Sequence, residues 1–202
     1  MLSRRMRGFS LIEIMIVLCL ILIVTAVSVM TIQPSLKSGR VTEGYNTTLM
    51  MLRQAREISV AQRQIYFVTL NGVAVPNAIT ITQGSTGAVT STKTLPTDVA
   101  FDVEPGVPTS PTVAPTTPDG FGVGATAIDL DQGVAGGAKN VVYFYPDGSA
   151  ADVNGNVNNG VIYVTRPGDI RNSRAITLWG ATGRLRGWHL YPNGAAYYWR
   201  QQ

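Results

Sequence analysis

The longest apolar segment of this chain carries a single charge near its start. From Phe9 to Ile32 the residues are almost all apolar, and Glu13 is the only charged one. A helix over this segment would be about 36 Å long at 1.5 Å per residue, which is enough to cross a hydrocarbon core of about 30 Å. An ionised carboxylate is costly in that environment unless another group neutralises it. We therefore predict a membrane helix in which Glu13 has a charged partner.

The segment before this helix is short and basic. Residues 1–8 carry three arginines and no acid, and they end at Gly8. A secretory signal peptide places its cleavage site after the apolar stretch, whereas Gly8 lies before it. If the chain is cut after Gly8, Phe9 gains a free α-amino group. That ammonium group is the predicted partner for Glu13 of a neighbouring subunit.

The sequence Phe9-Ser10-Leu11-Ile12-Glu13 behind a basic leader resembles the class III signal of type IV pilins and type II secretion pseudopilins. The resemblance implies cleavage between Gly8 and Phe9 by prepilin peptidase, methylation of Phe9, and assembly with other pilin or pseudopilin subunits through the N-terminal helix, with Glu13 as the assembly residue. It also implies a single-pass inner-membrane precursor with a cytoplasmic N-terminus and a periplasmic C-terminal domain, which an inner-membrane assembly platform incorporates into a filament. A plain signal peptide or signal anchor is the alternative interpretation.

Length and charge limit the remaining possibilities. A chain of 202 residues suits one membrane helix and one globular domain. Removing the three leader arginines from the 16 basic residues leaves 13 against 12 acids, a net charge of +1, which argues against a globally basic nucleic-acid-binding protein. The predicted segments are a leader at 1–8, a transmembrane assembly helix at 9–32, the second half of the helix at 33–64, and a β-rich periplasmic domain at 65–202.

The second half of the helix has one apolar face. Its predicted buried positions recur at three- and four-residue spacing: Val41, Tyr45, Leu49, Leu52, Ala55 and Ser59. We expect this face to pack on a sheet. The segment from Leu52 to Arg63 also resembles the Leu-x-x-Ala-Arg-x-x-Ala helix of the GspH/FimT group of minor pseudopilins and minor pilins. A generic amphipathic helix is the alternative.

After Gln64 the sequence changes to short β-type segments separated by Asn-Gly and Asp-Gly turn signals. The predicted strands are 65–70, 78–82, 99–103, 141–145, 161–165, 175–179, 185–190 and 196–199. The predicted fold class is therefore α+β, the pilin fold, in which a long N-terminal helix packs on an antiparallel sheet. A Pro/Thr-rich stretch at about 105–124 is predicted to be a long exposed loop.

Two further motifs resemble the GspH/FimT group: Phe144-Tyr145-Pro146-Asp147-Gly148, and Gly183-Arg184-Leu185-Arg186. In some FimT-like pilins the Gly-Arg-x-Arg loop is associated with DNA capture, so Arg184 and Arg186 are candidate phosphate contacts. Arginines that face solvent on an ordinary β domain are the favoured explanation, and nucleic-acid binding is kept as the alternative. Residues 187–202 continue beyond the usual end of the family domain, and an extra hairpin is expected there.

Other site chemistry is sparse in the sequence. His189, the only histidine, has no nucleophile motif beside it, and we assign no catalytic residue, metal site or cofactor. The alternating acids and amides from Asp152 suggest a calcium loop, but the twelfth position is Tyr163, so a tight turn is the prediction. The leading hypothesis is a minor pilin or pseudopilin of either machine, in filament initiation or at the tip. A DNA receptor and an anchored periplasmic enzyme are the alternatives.

Overall fold

The computed structural model describes residues 9–108, 121, 126–132, 139–194 and 196–202. The chain divides into two compact units, Met1–Gly39 and Arg40–Gln202. One helix, α1 (Leu11–Gln62), contributes to both units. It begins directly after Ser10, whose carbonyl oxygen accepts the N–H groups of Glu13 at 3.0 Å and Ile14 at 3.2 Å.

The apolar face predicted for the second half of α1 is confirmed. All six positions are at most 9% exposed, while Arg53 and Glu57 between them are exposed. The Ser59 hydroxyl on this face has acceptors, because Ser59 Oγ lies 2.8 Å from the carbonyl oxygen of Arg56 and 3.2 Å from that of Tyr145. Burial of this face attaches the helix to the sheets, since an amphipathic helix gains most of its stability from packing.

Ten strands follow the helix in the described part of the chain: β1 (Tyr66–Asn71), β2 (Ala78–Gln83), β3 (Val89–Thr94), β4 (Ile128–Gln132), β5 (Val141–Phe144), β6 (Ala150–Ala151), β7 (Asn159–Val164), β8 (Arg174–Trp179), β9 (Arg184–Asn193) and β10 (Ala196–Gln201). They form two five-stranded sheets in which every pairing is antiparallel. The strand order is β3-β2-β1-β5-β6 in the first sheet and β10-β9-β8-β7-β4 in the second. The α+β prediction is confirmed.

Two apolar clusters hold the domain together. The larger one joins the apolar face of α1 to both sheets, with Leu52, Val68 and Ile176 as fully buried members. The smaller one lies on the opposite face of the second sheet and is built around Trp188 and Trp199. The second sheet is therefore covered on both faces, which explains the nearly continuous burial of β7 and β8.

The predicted strand at 99–103 is wrong. Only an isolated bridge joins Ala100 to Thr165 there, because side chains take the neighbouring N–H groups. The N–H of Phe101 donates to Asn77 Oδ1 at 2.6 Å, and that of Val103 donates to Asp102 Oδ1 at 2.8 Å. The sequence analysis missed β3, β4 and the two-residue β6, whereas the expected C-terminal hairpin is present as β9 and β10.

Most of the Pro/Thr-rich stretch at 105–124 lies outside the described residues. The described ends of that stretch contradict the prediction of an exposed loop, because Val107 is only 8% exposed and Phe121 only 2% exposed. Phe121 packs against Trp188 and Trp199, with ring centroids 5.1 and 5.6 Å apart. The Trp199 indole N–H donates to the carbonyl oxygen of Pro108 at 2.7 Å. The described ends of the stretch, at 107–108 and 121, are therefore part of the outer cover of the second sheet.

Candidate functional site

The N-terminal segment of α1 exposes its apolar side chains on all sides. From Leu11 to Val27 the large apolar side chains are 48% to 77% exposed. The window Leu11–Ser28 has a mean hydropathy of 2.9, so this helix is long and apolar enough to cross a membrane. A helix that is apolar all round is stable only inside lipid or among other apolar helices. The exposed apolar side chains of this segment therefore favour lipid or other apolar helices as its surroundings.

The hydroxyl groups in this segment are satisfied by the helix itself. Thr25 Oγ1 donates to the carbonyl oxygens of Ile21 at 2.8 Å and Leu22 at 3.0 Å, and Ser28 Oγ donates to that of Val24 at 2.8 Å. Such bonding removes most of the penalty of placing a hydroxyl in lipid. Glu13 differs from these residues, because it is an exposed acid in the first turn of an apolar helix.

The two residues of the predicted cleavage site are only partly described. Gly8 lies outside the described residues. Phe9 precedes the helix and is 78% exposed, two residues before the first helical position. At 1.5 Å per residue, about 6 Å of helix rise separates positions 9 and 13.

Three motifs that are far apart in the sequence meet at Arg56. The Arg56 guanidinium donates from Nε to the carbonyl oxygen of Gly148 and from Nη2 to that of Thr182, each at 3.0 Å. Gly183 comes so close to this junction that a Cβ there would lie 2.1 Å from the Gly148 oxygen, and its φ is +58°. Arg56 therefore joins the helix to the turn after β5 and to the loop before β9.

The Gly-Arg-x-Arg motif borders an open basic cleft beside this junction. The cleft has a volume of about 470 Å³ and is lined by Arg53, Arg56, Glu57, Thr182, Gly183, Arg184 and Leu185. Arg184 is exposed, and Arg186 is half-buried opposite Thr177 of β8. The structure thus brings Arg184 together with two helix arginines that the sequence analysis did not assign to the site. The packing of α1 on the sheets, which sequence patterns do not specify, places them there.

The alternating acids and amides after β6 form a turn, as predicted. Asp152 Oδ1 accepts the backbone N–H groups of Asn154 and Asn156 at 2.9 and 2.8 Å, and Oδ2 accepts the side-chain amide of Asn156 at 2.9 Å. Hydrogen bonding from the Asn156 amide, followed by these backbone donors, lowers the pKa of Asp152. Both carboxylate oxygens are therefore used within the turn. Among the described residues no group of three or more His, Cys, Asp or Glu side chains is placed to hold a metal ion.

His189 lies on β9 between two arginines rather than beside a nucleophile. The β8–β9 and β9–β10 registers pair it with Arg174 and with Arg200. Burial and the positive charge of Arg174 lower its pKa to about 4. His189 is therefore neutral near pH 7.

Comparison with known proteins identifies the N-terminal segment. Residues 3–29 match the family model described as the prokaryotic N-terminal methylation motif. No curated protein sequence matches the chain significantly. Among solved structures, the chain is similar to the crystal structure of the type IV minor pilin FimU of Pseudomonas aeruginosa, with a TM-score of 0.44 and 12% sequence identity over 76% of this chain and 88% of that chain.

The methylation motif includes the acid at position 13 and the whole window Leu11–Ser28 that is long and apolar enough to cross a membrane. The chain continues from this helix into a domain of antiparallel sheets. The N-terminal segment of the chain therefore carries a prokaryotic N-terminal methylation motif.

Proposed function

We propose that this protein is a minor pilin or pseudopilin of the GspH/FimT type. In this proposal prepilin peptidase cleaves it between Gly8 and Phe9, Phe9 is methylated, and the subunit enters a type II secretion pseudopilus or a type IV pilus at initiation or at the tip. It acts as a structural subunit rather than an enzyme. The observation that carries the proposal is the exposed apolar segment Leu11–Ser28, whose one charge, Glu13, lies within the matched methylation motif.

The junction at Arg56 supports the assignment to the GspH/FimT type. Each of the three sequence motifs that resemble this group contributes to it or adjoins it: the helix through Arg56, the turn through Gly148, and the Gly-Arg-x-Arg loop through Gly183. Motifs that make a common contact are explained more simply by one inherited domain than by three separate coincidences. The proposed topology follows from the same assignment, with a cytoplasmic N-terminus, one crossing of the inner membrane, and a periplasmic domain that the assembly platform moves into the filament.

Glu13 has a specific part in this proposal. Inside the filament its carboxylate pairs with the Phe9 ammonium group of the neighbouring subunit, so that two buried charges neutralise each other. A subunit that arrives out of register leaves both charges unpaired in an apolar surrounding, which is strongly unfavourable. The pair therefore selects the correct axial position for each new subunit.

Processing is tested by mass spectrometry of the filament-associated protein. We expect an N-terminus at Phe9 that carries one added methyl group. An intact Met1, or a cut beyond Ala26, would refute the proposal, because the first result excludes peptidase processing and the second indicates an ordinary signal peptide.

The role of Glu13 is tested by Glu13→Val, with Glu43→Val as a matched change at an exposed acid further along α1. Glu13→Val should insert into the membrane as well as the wild type, because removing the charge favours lipid, but it should be depleted in filaments. Glu43→Val should enter filaments normally. Equal incorporation of the two variants would show that the charge pair does not guide assembly.

A second candidate function, a pilus-borne DNA receptor, is favoured by the basic cleft next to Arg184. If Arg184 and Arg186 bind phosphates, the full-length protein in neutral detergent should bind duplex DNA, and replacing both with Gln should reduce the salt slope by about two units. Lys93→Gln on the exposed strand β3 is the control. We expect no binding near physiological salt, because the mature chain is almost neutral. If the wild type binds DNA and the folded double variant does not, the DNA receptor becomes the leading candidate function.

A further inference from the structure

Three basic side chains form a row across the strands β8, β9 and β10. Arg174 pairs with His189, and His189 pairs with Arg200. Directly opposed residues of antiparallel strands project to the same face with Cβ atoms about 5 Å apart. The three side chains therefore lie side by side on one face of the second sheet, and we call them the basic row. This is the face on which α1 packs, because the Arg174 guanidinium contacts Thr42.

Arg174 is a buried cation that lacks a full set of acceptors. Its side chain belongs to a residue that is 6% exposed, and Nη2 donates to Thr42 Oγ1 at 3.2 Å. Its Nε and Nη1 atoms have no hydrogen-bond partner among the described residues. Burial lowers the pKa of Arg174, and only the hydroxyls of Tyr191 and Tyr45 counteract this effect. A buried guanidinium without a carboxylate is an unfavourable arrangement for an isolated subunit.

The accessible part of the basic row is lined by aromatic rings. The rings of His189 and Tyr191 are 4.4 Å apart, and those of Tyr191 and Tyr198 are 6.0 Å apart. The guanidinium carbon of the exposed Arg200 lies 6.0 Å from the centre of the Tyr191 ring. This surface offers a guanidinium, a neutral imidazole and phenol hydroxyls as hydrogen-bond donors. Within the described part of the chain, no aspartate or glutamate is among the charged groups that perturb Arg174 or His189.

We infer that the basic row is a binding site for an acidic side chain of a neighbouring subunit in the filament, an inference that rests on the proposed function. The acid contacts Arg200 and His189. The positive charge of Arg174, the neighbour of His189 in the row, strengthens the binding of the acid. The planar fork of a guanidinium suits a carboxylate, which it can bind through two parallel hydrogen bonds. Strand β10 is the edge of its sheet, so a neighbour can reach the row from that side.

A protein carboxylate fits the basic row better than a nucleic acid does. Only Arg200 of the three is exposed, whereas a phosphate backbone gains affinity by contacting many accessible cations at once. The almost neutral mature chain also provides little long-range attraction for a polyanion. A single acid from an adjacent subunit needs neither many accessible cations nor long-range attraction, because the filament places it at the site.

The single histidine provides a direct assay. The pKa of His189 in the full-length protein in neutral detergent is measured from its imidazole NMR signals, starting from a value of about 4. The peptide acetyl-Glu-Glu-Glu-amide should raise this pKa by at least one unit, because a bound carboxylate favours the imidazolium form. Acetyl-Gln-Gln-Gln-amide should leave it unchanged. Arg200→Gln should abolish the response to the acidic peptide, whereas Arg171→Gln, an exposed arginine outside the row, should retain it.

Two results of the titration would overturn the inference. If the acidic peptide leaves the His189 signals unchanged, the basic row does not bind carboxylates. If inorganic phosphate shifts them and the peptide does not, the row binds phosphate groups and the proposed partner is wrong.

Stability and assembly give an independent test through Arg174→Met, which keeps the volume and removes the charge. We expect the isolated variant to unfold at the same temperature as the wild type or higher, because an uncompensated buried cation is lost. Its incorporation into filaments should fall at least several-fold, with Phe9 still cleaved and methylated. A lower unfolding temperature, or normal incorporation, would refute this inference but would leave the proposed function unaffected. Absence of cleavage at Phe9 in the wild type would instead refute the proposed function.

Discussion

Gly187 of β9 lies directly against Tyr45 of α1, so Gly187→Ala tests the packing of the helix on the second sheet. A Cβ at this position would lie 1.6 Å from the Tyr45 hydroxyl oxygen and 2.8 Å from Cζ of the same ring. Real Cβ atoms do not approach other heavy atoms that closely, and Tyr45 is only 4% exposed. The ring therefore has little free space to move into, and the helix and the sheet must separate.

The expected penalty is at the upper end of the range for overpacked cores. Added methyl groups in well-packed cores cost about 1–3 kcal/mol. A loss of about 3 kcal/mol lowers the Tm of a domain of this size by about 6–12 °C, at about 2–4 °C per kcal/mol. Gly72→Ala is the matched control, because a Cβ there has its nearest contact at 3.5 Å, to Ile128 Cδ1. That variant should change the free energy of unfolding by less than about 0.5 kcal/mol.

The assay is urea unfolding of the full-length protein in neutral detergent, followed by tryptophan fluorescence. It reports this region, because Trp179, Trp188 and Trp199 all lie in the second sheet. Tyr45→Leu removes the atoms that clash, so Gly187→Ala should cost almost nothing further in that background. An equal cost of Gly187→Ala with and without Tyr45 would refute the reasoning. So would a Gly187→Ala protein as stable as Gly72→Ala.

Two further predictions concern buried and turn hydrogen bonds. The Trp188 indole N–H donates to Thr177 Oγ1 at 2.9 Å where both residues are fully buried. Thr177→Val should therefore cost about 1–3 kcal/mol of unfolding free energy in urea, by leaving that N–H unpaired. Thr177→Ser keeps the hydroxyl and should cost less, and the reverse order would contradict the assignment. The lowered pKa of Asp152 means that its carboxylate stabilises the turn above the unfolded pKa of about 4, an effect lost as pH falls through the lower folded pKa. Asp152→Ala should lower the Tm at pH 7, with a deficit that shrinks below about pH 4; a deficit independent of pH would show that the carboxylate charge is not responsible.

The sequence by itself determined the features that depend on neighbouring residues. The segment with Glu13 is visible as an almost continuous apolar run. The buried face of α1 from Val41 to Ser59 is visible as a periodic pattern, because helix geometry fixes which residues share a face. The turn at Asp152 was predictable for the same reason, since its carboxylate accepts N–H groups only two and four residues away. The threonine-rich strand β3 was missed because its residues are almost all exposed and show no alternation of burial.

Only the tertiary structure decided which distant residues meet. Arg56 bonds to carbonyl groups 92 and 126 residues away, and nothing near position 56 in the sequence specifies those partners. The basic row likewise depends on the registers of two separate strand pairs, since a slip of one residue in either pair moves a side chain to the opposite face of the sheet. Burial of Arg174 without a carboxylate was also invisible in the sequence, where it is one arginine among several. Strand pairing and the packing of α1 on the sheet are non-local, and together they convert these separated residues into candidate sites.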